Sequence, residues 1–489
     1  MFSNKILKIL LVFFVGATLV LITAITIIIA RGGQITPQGL ITNTGLIRIH
    51  VDPENLDFNV YLNEEKKQVI DKRVNNITEG EYTVKIEADR YSVWEKKILI
   101  RKDLVTEIYV KLYPKELALS QVTKSNVSQM TFTKDGEYVY YVIKHSEFGA
   151  DNGIWRLPIS QNTSFFSFTN PNPVKLADLT DELSEIVSDD AYVLDPSEDN
   201  TKLVISNYTK KINLLLNATG MNKTPYTNLN KILGFDPDKI SWFDGAAHLI
   251  IQSASVLIDY NVAESTSSLL LYKPKSDIIY SNNHERIFAF DSDKGTLLTY
   301  QNKKLAPLDI KTMSIPTDII SLSVSDTNNN ILYINSKSSG YMYVNLEKLF
   351  MRNIFDTAQG RAELLEMNND GTSAIFSIGE KFVSFMAIEN LGTNMIETKL
   401  VPFTQINLTK GRFNYTPQST HIVYYDKVAT AIKAVERDGS NAITLLTDKG
   451  ITLGTNFNAL GDYLYLGLSE NSDSTIRQNI YKIKLVQSQ

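Results

Sequence analysis

The stretch Phe132-Thr133-Lys134-Asp135-Gly136-Glu137-Tyr138-Val139-Tyr140-Tyr141-Val142 sets the pattern for most of this chain. An aromatic residue leads into a polar turn, and a run rich in β-branched and aromatic residues follows. That is turn chemistry followed by strand chemistry. The pattern recurs as Leu194 to Asn200 before Leu203-Val204-Ile205, and as Trp242 to Gly245 before Leu249-Ile250-Ile251. It recurs again as Tyr280 to Asn283 before Ile287 to Phe290, Val324 to Asn328 before Ile331 to Ile334, and Met367 to Gly371 before Ala374-Ile375-Phe376. The last copies are Tyr415 to Ser419 before Ile422 to Tyr425, and Phe457 to Gly461 before Tyr463 to Leu466. Most copies lie about 40–48 residues apart, and the average repeat of about 46 residues is the size of one four-stranded propeller blade. A four-stranded sheet cannot bury both faces alone; stacking such sheets radially buries them and leaves only short edges. Residues 115–489 are therefore expected to form a β-propeller of eight blades, with seven as the alternative count. Leu117-Ala118-Leu119 is expected to close the ring against the last blade.

The copies resemble the TolB-like family of bacterial β-propellers, with Phe132 to Gly136 and Trp242 to Gly245 nearest to that family's repeat. The other copies are degenerate. One segment breaks the β pattern. In Asn345 to Glu366, Leu346, Leu349, Phe350 and Ile354 stand at helical spacing and predict a short helical insertion.

Upstream, residues 44–114 alternate with period two. Ile47, Ile49 and Val51, then Phe58, Val60 and Leu62, then Tyr82, Val84 and Ile86 each place their apolar members on one strand face. Ile98 and Ile100 follow, and then Ile108, Val110 and Leu112. This predicts a small antiparallel sandwich, separated from the propeller by Tyr113-Pro114-Lys115. The series Gly45 to Glu54, Val60 to Asn63, Gly80 to Ile86 and Tyr91-x-x-Trp94 resembles a PEGA domain in order and spacing. The name-giving tetrapeptide departs, reading Pro53-Glu54-Asn55-Leu56, and Lys66 to Val74 replaces the family's usual Gly-x-x-Pro. The resemblance implies a binding or spacer module on a bacterial or archaeal surface protein. Tyr91 and Trp94 are read as capping the sandwich core, with a carbohydrate-stacking platform as the alternative.

Ile9 to Ala30 carries no charge. As a helix it would be about 33 Å long, enough for a hydrocarbon core of about 30 Å. Lys5 and Lys8 precede it and Arg31 follows alone, so the positive-inside rule keeps residues 1–8 in the cytoplasm and sends the rest across. The run is long for a cleaved signal peptide, and Ile28-Ile29-Ala30 is a poor cleavage site. Residues 9–30 are therefore read as an uncleaved transmembrane signal anchor and residues 31–43 as a linker. A cleaved signal and a buried core helix are the alternatives.

Composition narrows the function. Of 489 residues, 43% are hydrophobic and 21% charged, which fits a folded chain. The net charge of −5 argues against a nucleic-acid partner. With no cysteine, disulfides, thiolate metal sites and a cysteine nucleophile are excluded. No hydrolase, metalloprotease, phosphate-loop or dinucleotide motif is present. The histidines His50, His145, His248, His284 and His421 share no metal-ligand spacing. Asp291-x-Asp293-x-Gly295 is read as a hairpin turn, with a calcium loop as the alternative. Asn-x-Ser/Thr sequons, as at Asn76, Asn126, Asn217 and Asn407, occur at about chance frequency in so polar a chain. No catalytic, cofactor-binding or metal residue is singled out and no cofactor is expected.

The resulting expectation is a non-catalytic, single-pass protein of the bacterial cytoplasmic membrane with its bulk extracytoplasmic. Its anchor would contact the bilayer, and its propeller would bind an envelope protein or a neutral glycan. The alternative is a lyase- or glycosidase-type enzyme with its site in the propeller channel. Protease added to intact protoplasts is expected to remove nearly the whole chain. Complete protection until lysis would overturn this topology.

Overall fold

In five copies of the repeat, one side chain holds the turn together. Thr133, Ser197, Asn368, Thr416 and Asn458 each follow the first strand of a four-stranded sheet. Each side-chain oxygen accepts the backbone N–H five residues on, from Tyr138 (3.0 Å), Lys202 (2.9 Å), Ser373 (2.8 Å), His421 (3.1 Å) and Tyr463 (2.9 Å). The residue three along, Gly136, Asn200, Gly371, Ser419 or Gly461, takes a positive φ of 57–73°. At Gly371 a side chain has no room, since a Cβ would lie 2.7 Å from Ile331 and Ser325. Asp135, Asp199 and Asp370 accept from the N–H two residues on, at 2.9–3.0 Å. The Ser/Thr/Asn-x-Asp-Gly signal in the sequence is thus a turn whose polar groups satisfy one another.

The computed structural model describes residues 13–23, 26, 33–35, 41–145, 151–159, 172–220, 226–274, 277–310, 313–355, 361–390, 395–403, 413–426, 428–447, 451–458, 461–472 and 475–486. The chain divides into two units, Met1–Glu116 with Val486–Gln489, and Leu117–Leu485.

In the larger unit the described strands form eight four-stranded sheets, here called blades one to eight in chain order. Their first, innermost strands are Val127–Phe132, Val193–Pro196, Lys239–Phe243, Ile279–Asn282, Ile319–Val324, Ala362–Met367, Phe413–Tyr415 and Ile451–Phe457. Within each of blades one to seven the strands pair antiparallel in sequence order. Blade eight combines Ile451–Phe457, Tyr463–Ser472 and Thr475–Lys484 with Leu119–Gln121 from the start of the unit. Leu119, Ser120 and Gln121 pair with Ile483, Lys482 and Tyr481. The ring is closed as a β-propeller, and the closing strand falls two residues beyond the expected Leu117–Leu119.

Each blade buries its faces against its neighbours. Between blades five and six, Tyr333 lies 6.0 Å from Phe376 and 5.9 Å from Phe385, ring centre to ring centre. Hydroxyls and indoles tie the blades at their ends: Tyr140 donates to Asn200 O (3.1 Å), Tyr333 to Gly371 O (2.9 Å) and Trp242 Nε1 to Asp195 O (2.9 Å).

The helix expected in Asn345 to Glu366 is not formed. Phe350–Phe355 is the outer strand of blade five, and Ala362–Met367 is the inner strand of blade six. Leu349 sits at φ 48° in the turn before the first of these. Local helical spacing is overridden because both flanks of the segment must supply strands to neighbouring blades.

The smaller unit contains two four-stranded sheets. One holds Gly33–Ile35, Ile41–Asp52, Arg73–Thr78 and Val105–Lys111; the other holds Asn59–Leu62, Glu65–Lys67, Gly80–Glu87 and Trp94–Ile100. The pairing of Ile41–Asp52 with Val105–Lys111 is parallel, so the expected all-antiparallel sandwich is mixed. Ile47, Ile49, Val60, Val84, Ile86 and Ile100 form the core together with Tyr91 and Trp94, which are 5% and 3% exposed. Those two aromatics cap the core and offer no stacking platform. Among the described residues, no helix is long and apolar enough to cross a membrane. The expected 9–30 span lies partly outside the described residues.

The closing strand is stapled by Thr123, whose hydroxyl accepts from Ile480 N at 2.9 Å in a buried setting. Thr123→Val leaves that N–H without a partner and is expected to cost about 1–3 kcal/mol in urea unfolding. A stability equal to that of the unsubstituted chain would show that the closure does not depend on it.

Candidate functional site

The inner strands of blades one, six, seven and eight end at one mouth of the ring, and their turns enclose a cavity of about 370 Å³ together with Asp326 from blade five. The walls carry Phe132, Tyr415 and Phe457, with Asn369, Asn414, Thr416, Ser419, Asn456 and Asn458 between them. Several of these polar groups already serve the fold. Thr416 and Asn458 hold their turns, Asn414 donates to Thr455 O, and Asn456 Oδ1 accepts from Phe457 N at 2.8 Å.

One ion pair spans the mouth. Lys134 Nζ donates to Asp326 Oδ1 at 2.6 Å. The two residues belong to blades one and five, which stand opposite in a ring of eight. Each is the second residue of its turn. Both side chains are well exposed, so the pair contributes at most about 1 kcal/mol.

Two carboxyl groups lie close enough to Lys134 to feel its charge. Glu366, on the inner strand of blade six, has its pKa raised to about 7, by burial first and by Asp326 second, with Lys134 opposing. Asp195, on the inner strand of blade two, is raised to about 6 by burial, again with Lys134 opposing. Blades two and six are also opposite one another. A carboxyl group titrating near neutrality inside a concave site can hold or release a proton where ligand binds.

None of these four residues was singled out by motif. Two of them, Asp195 and Glu366, instead share a strand register with Asn414 and Asn456. Asp195, Glu366, Asn414 and Asn456 are each the penultimate residue of an inner strand. Glu366, Asn414 and Asn456 line the cavity from that position. The signal that finds them is alignment of the repeats on their turns.

The residues weighed from the sequence lie elsewhere. His248 pairs with Asp259 at 2.6 Å on blade three, and His421 is buried with Nδ1 3.1 Å from Thr420 Oγ1. His284 stands 3.6 Å from Glu198 and from Glu285, and His50 stacks on Tyr109 in the smaller unit. None of the five histidines lines the cavity. Asp291 and Asp293 form the hairpin turn between Ile287–Asp291 and Thr296–Gln301. Their oxygens hold the buried ammonium of Lys273, which bonds Asp291 and lies 2.6 Å from Asp293. The two carboxylates of the turn are thus bridged by a lysine ammonium. Among the described residues, no three His, Asp or Glu side chains gather in metal-binding geometry.

No protein-family model and no curated protein matches this chain. Among solved structures, it is similar to the Myceliophteria thermophila Cps50 (Swd1) β-propeller domain, at TM-score 0.40 and 8% identity over 76% of this chain and 100% of that one. It is also similar to the C-terminal WD40 domain of Sif2, at TM-score 0.42 and 13% identity over 76% of this chain and 99% of that one. A third is oligogalacturonate lyase from Vibrio parahaemolyticus, at TM-score 0.39 and 10% identity over 75% of this chain and 99% of that one. Likenesses this distant carry no argument about activity. The assignment of a propeller rests on the strand order itself.

The folded chain holds the Glu366 proton more tightly than an unfolded chain, where the group titrates near 4.5. Stability from this residue therefore falls as pH rises from about 4.5 to about 7. Glu366→Gln, which cannot ionise, is expected to gain on the unsubstituted chain across that window in urea midpoints. A difference independent of pH would refute the shift.

Proposed function

We propose that this chain is a membrane-anchored, extracytoplasmic binding or scaffolding protein of a bacterial cell envelope. Residues 9–30 are its signal anchor, residues 31–43 a linker, residues 44–114 a PEGA-like spacer and residues 115–489 the recognition surface. The observation that carries this reading is the character of the cavity mouth. Amides, hydroxyls and aromatic residues line it, and two of its charged groups, Lys134 and Asp326, pair with each other beside Asp135 and Glu366. Such a surface suits a neutral glycan or a protein loop, where aromatic faces supply contact area and amides supply direction. It lacks the basic footprint that nucleic acid requires.

A second reading has one observation in its favour. Glu366, which lines the cavity, and Asp195, on the opposing blade, are raised to about 7 and about 6, the range in which a carboxyl group can serve a lyase or glycosidase as proton donor or acceptor.

The full-length chain in detergent, screened against envelope glycans and used to capture envelope proteins, tests both. Asn369→Trp is expected to fill the cavity and weaken capture at least tenfold. Undiminished capture would move recognition away from the cavity. Turnover of a captured glycan, abolished in Glu366→Gln, would replace binding with catalysis.

A further inference from the structure

We infer that the loop Arg101-Lys102-Asp103-Leu104-Val105 of the smaller unit rests on the bilayer surface beside the anchor, with Leu104 and Val105 entering the headgroup layer. The inference rests on the anchor reading above and extends it to a second, peripheral membrane contact.

The first support is reach. Gly33–Ile35 folds back on the start of the next strand, pairing Gly33 with Asn43, Gln34 with Thr42 and Ile35 with Ile41. Gly33 lies three residues beyond Ala30, the end of the uncharged run. Three extended residues span at most about 11 Å. The hairpin therefore brings the Asn43–Thr44 end of the unit close to the point where the chain leaves the membrane, although nine residues lie between Gly33 and Asn43 along the chain.

The second support is that the loop is fixed to that same end. Asp103 N donates to Thr44 O at 3.2 Å, and Leu46 N donates to Leu104 O at 3.2 Å. Gly45 packs so closely under the loop that a Cβ there would meet Arg101 O at 2.5 Å. Where Thr44 goes, the loop goes.

The third support is composition. All five loop residues are exposed, with Leu104 at 52% and Val105 at 49%. Leu99, at the end of the neighbouring sheet, is exposed at 56%. Exposed leucine and valine at a loop tip are unfavourable in water and favourable at a lipid interface. The charges of this end are mixed: Arg101 and Lys102 are offset by Asp103, Glu79 and Glu81, the last of which pairs with Leu99. Apolar insertion drives the contact, and it does not require anionic lipid.

The chain has no cysteine, so Leu104→Cys creates a single labelling site. The full-length variant, labelled with bimane and reconstituted in phosphatidylcholine vesicles, is read by quenching from lipids carrying a shallow doxyl group. Asp89→Cys is the control. Asp89 lies beyond Glu87, whereas Gly80, at the other end of the same strand, pairs with Ile100 next to the loop. The strand separates the two positions by roughly 23 Å. Quenching several-fold stronger at position 104 than at 89 is the expected result, and equal quenching in vesicle-bound protein overturns it. Flotation of the vesicles separates this from failure of the anchor: protein that does not float refutes the anchor reading and the inference with it.

Discussion

Three backbone pairs hold the larger unit closed. A four-stranded sheet has two apolar faces, and each blade covers a face of the next. Blade eight would end with its outer edge open if Leu119–Gln121 did not pair with Tyr481–Ile483. The pairing joins residues more than 350 positions apart, as the neighbouring Thr123–Ile480 hydrogen bond also does. Loop closure of that length has a large entropic cost, but the cost grows only slowly with length and is offset once by the burial of every blade interface. Val127, Tyr141, Tyr465 and Ile480 share one core cluster, so the seam between first and last blades is packed like the others.

Closure also makes the candidate site. In an open array of blades, Lys134 and Asp326 would lie far apart. In the ring they face each other at 2.6 Å, and Glu366 and Asp195 come within range of the same lysine. The turns supply the walls because they are rigid. Side-chain oxygens of Thr133, Asn368, Thr416 and Asn458 tie down the backbone, so the residues between them project in defined directions. Turn polarity that maintains the fold is therefore largely unavailable for ligand, and what remains to ligand is the aromatic faces, the outward amides and the few charges.

In the smaller unit a different constraint operates. Gly45 allows the Arg101–Val105 loop to sit on the strand that leads out of the linker. The hairpin of Gly33–Ile35 against Ile41–Asn43 shortens the linker that composition alone describes as a free spacer. Tyr91 and Trp94, which have the residue types of a sugar platform, are instead buried in the core that also contains Ile86, Ile100 and Leu112.

The repeat was legible because its turn chemistry is local. Thr133 to Tyr138 contains its own hydrogen-bond partners, so the same residue types recur wherever the turn does, in five of the eight blades, and the aromatic-turn-strand spacing carries the count through the others. Period-two alternation in Ile47-x-Ile49-x-Val51 was legible for the same reason: each residue's face follows from its neighbours in the strand. The segment Asn345 to Glu366 misled because helical spacing is also local, whereas the pairing that overrode it, with Gly340–Asn345 on one side and Ser373–Ile378 on the other, belongs to two different sheets. The cavity charges were hidden for a stronger version of that reason. Nothing near Lys134 in sequence points to Asp326, because only closure of the ring sets blade one opposite blade five. Sequence determined the units of this protein, whose hydrogen bonds and apolar faces are decided within a few residues; tertiary structure decided which of their side chains share a channel, because that depends on how many units close and where each falls around the axis.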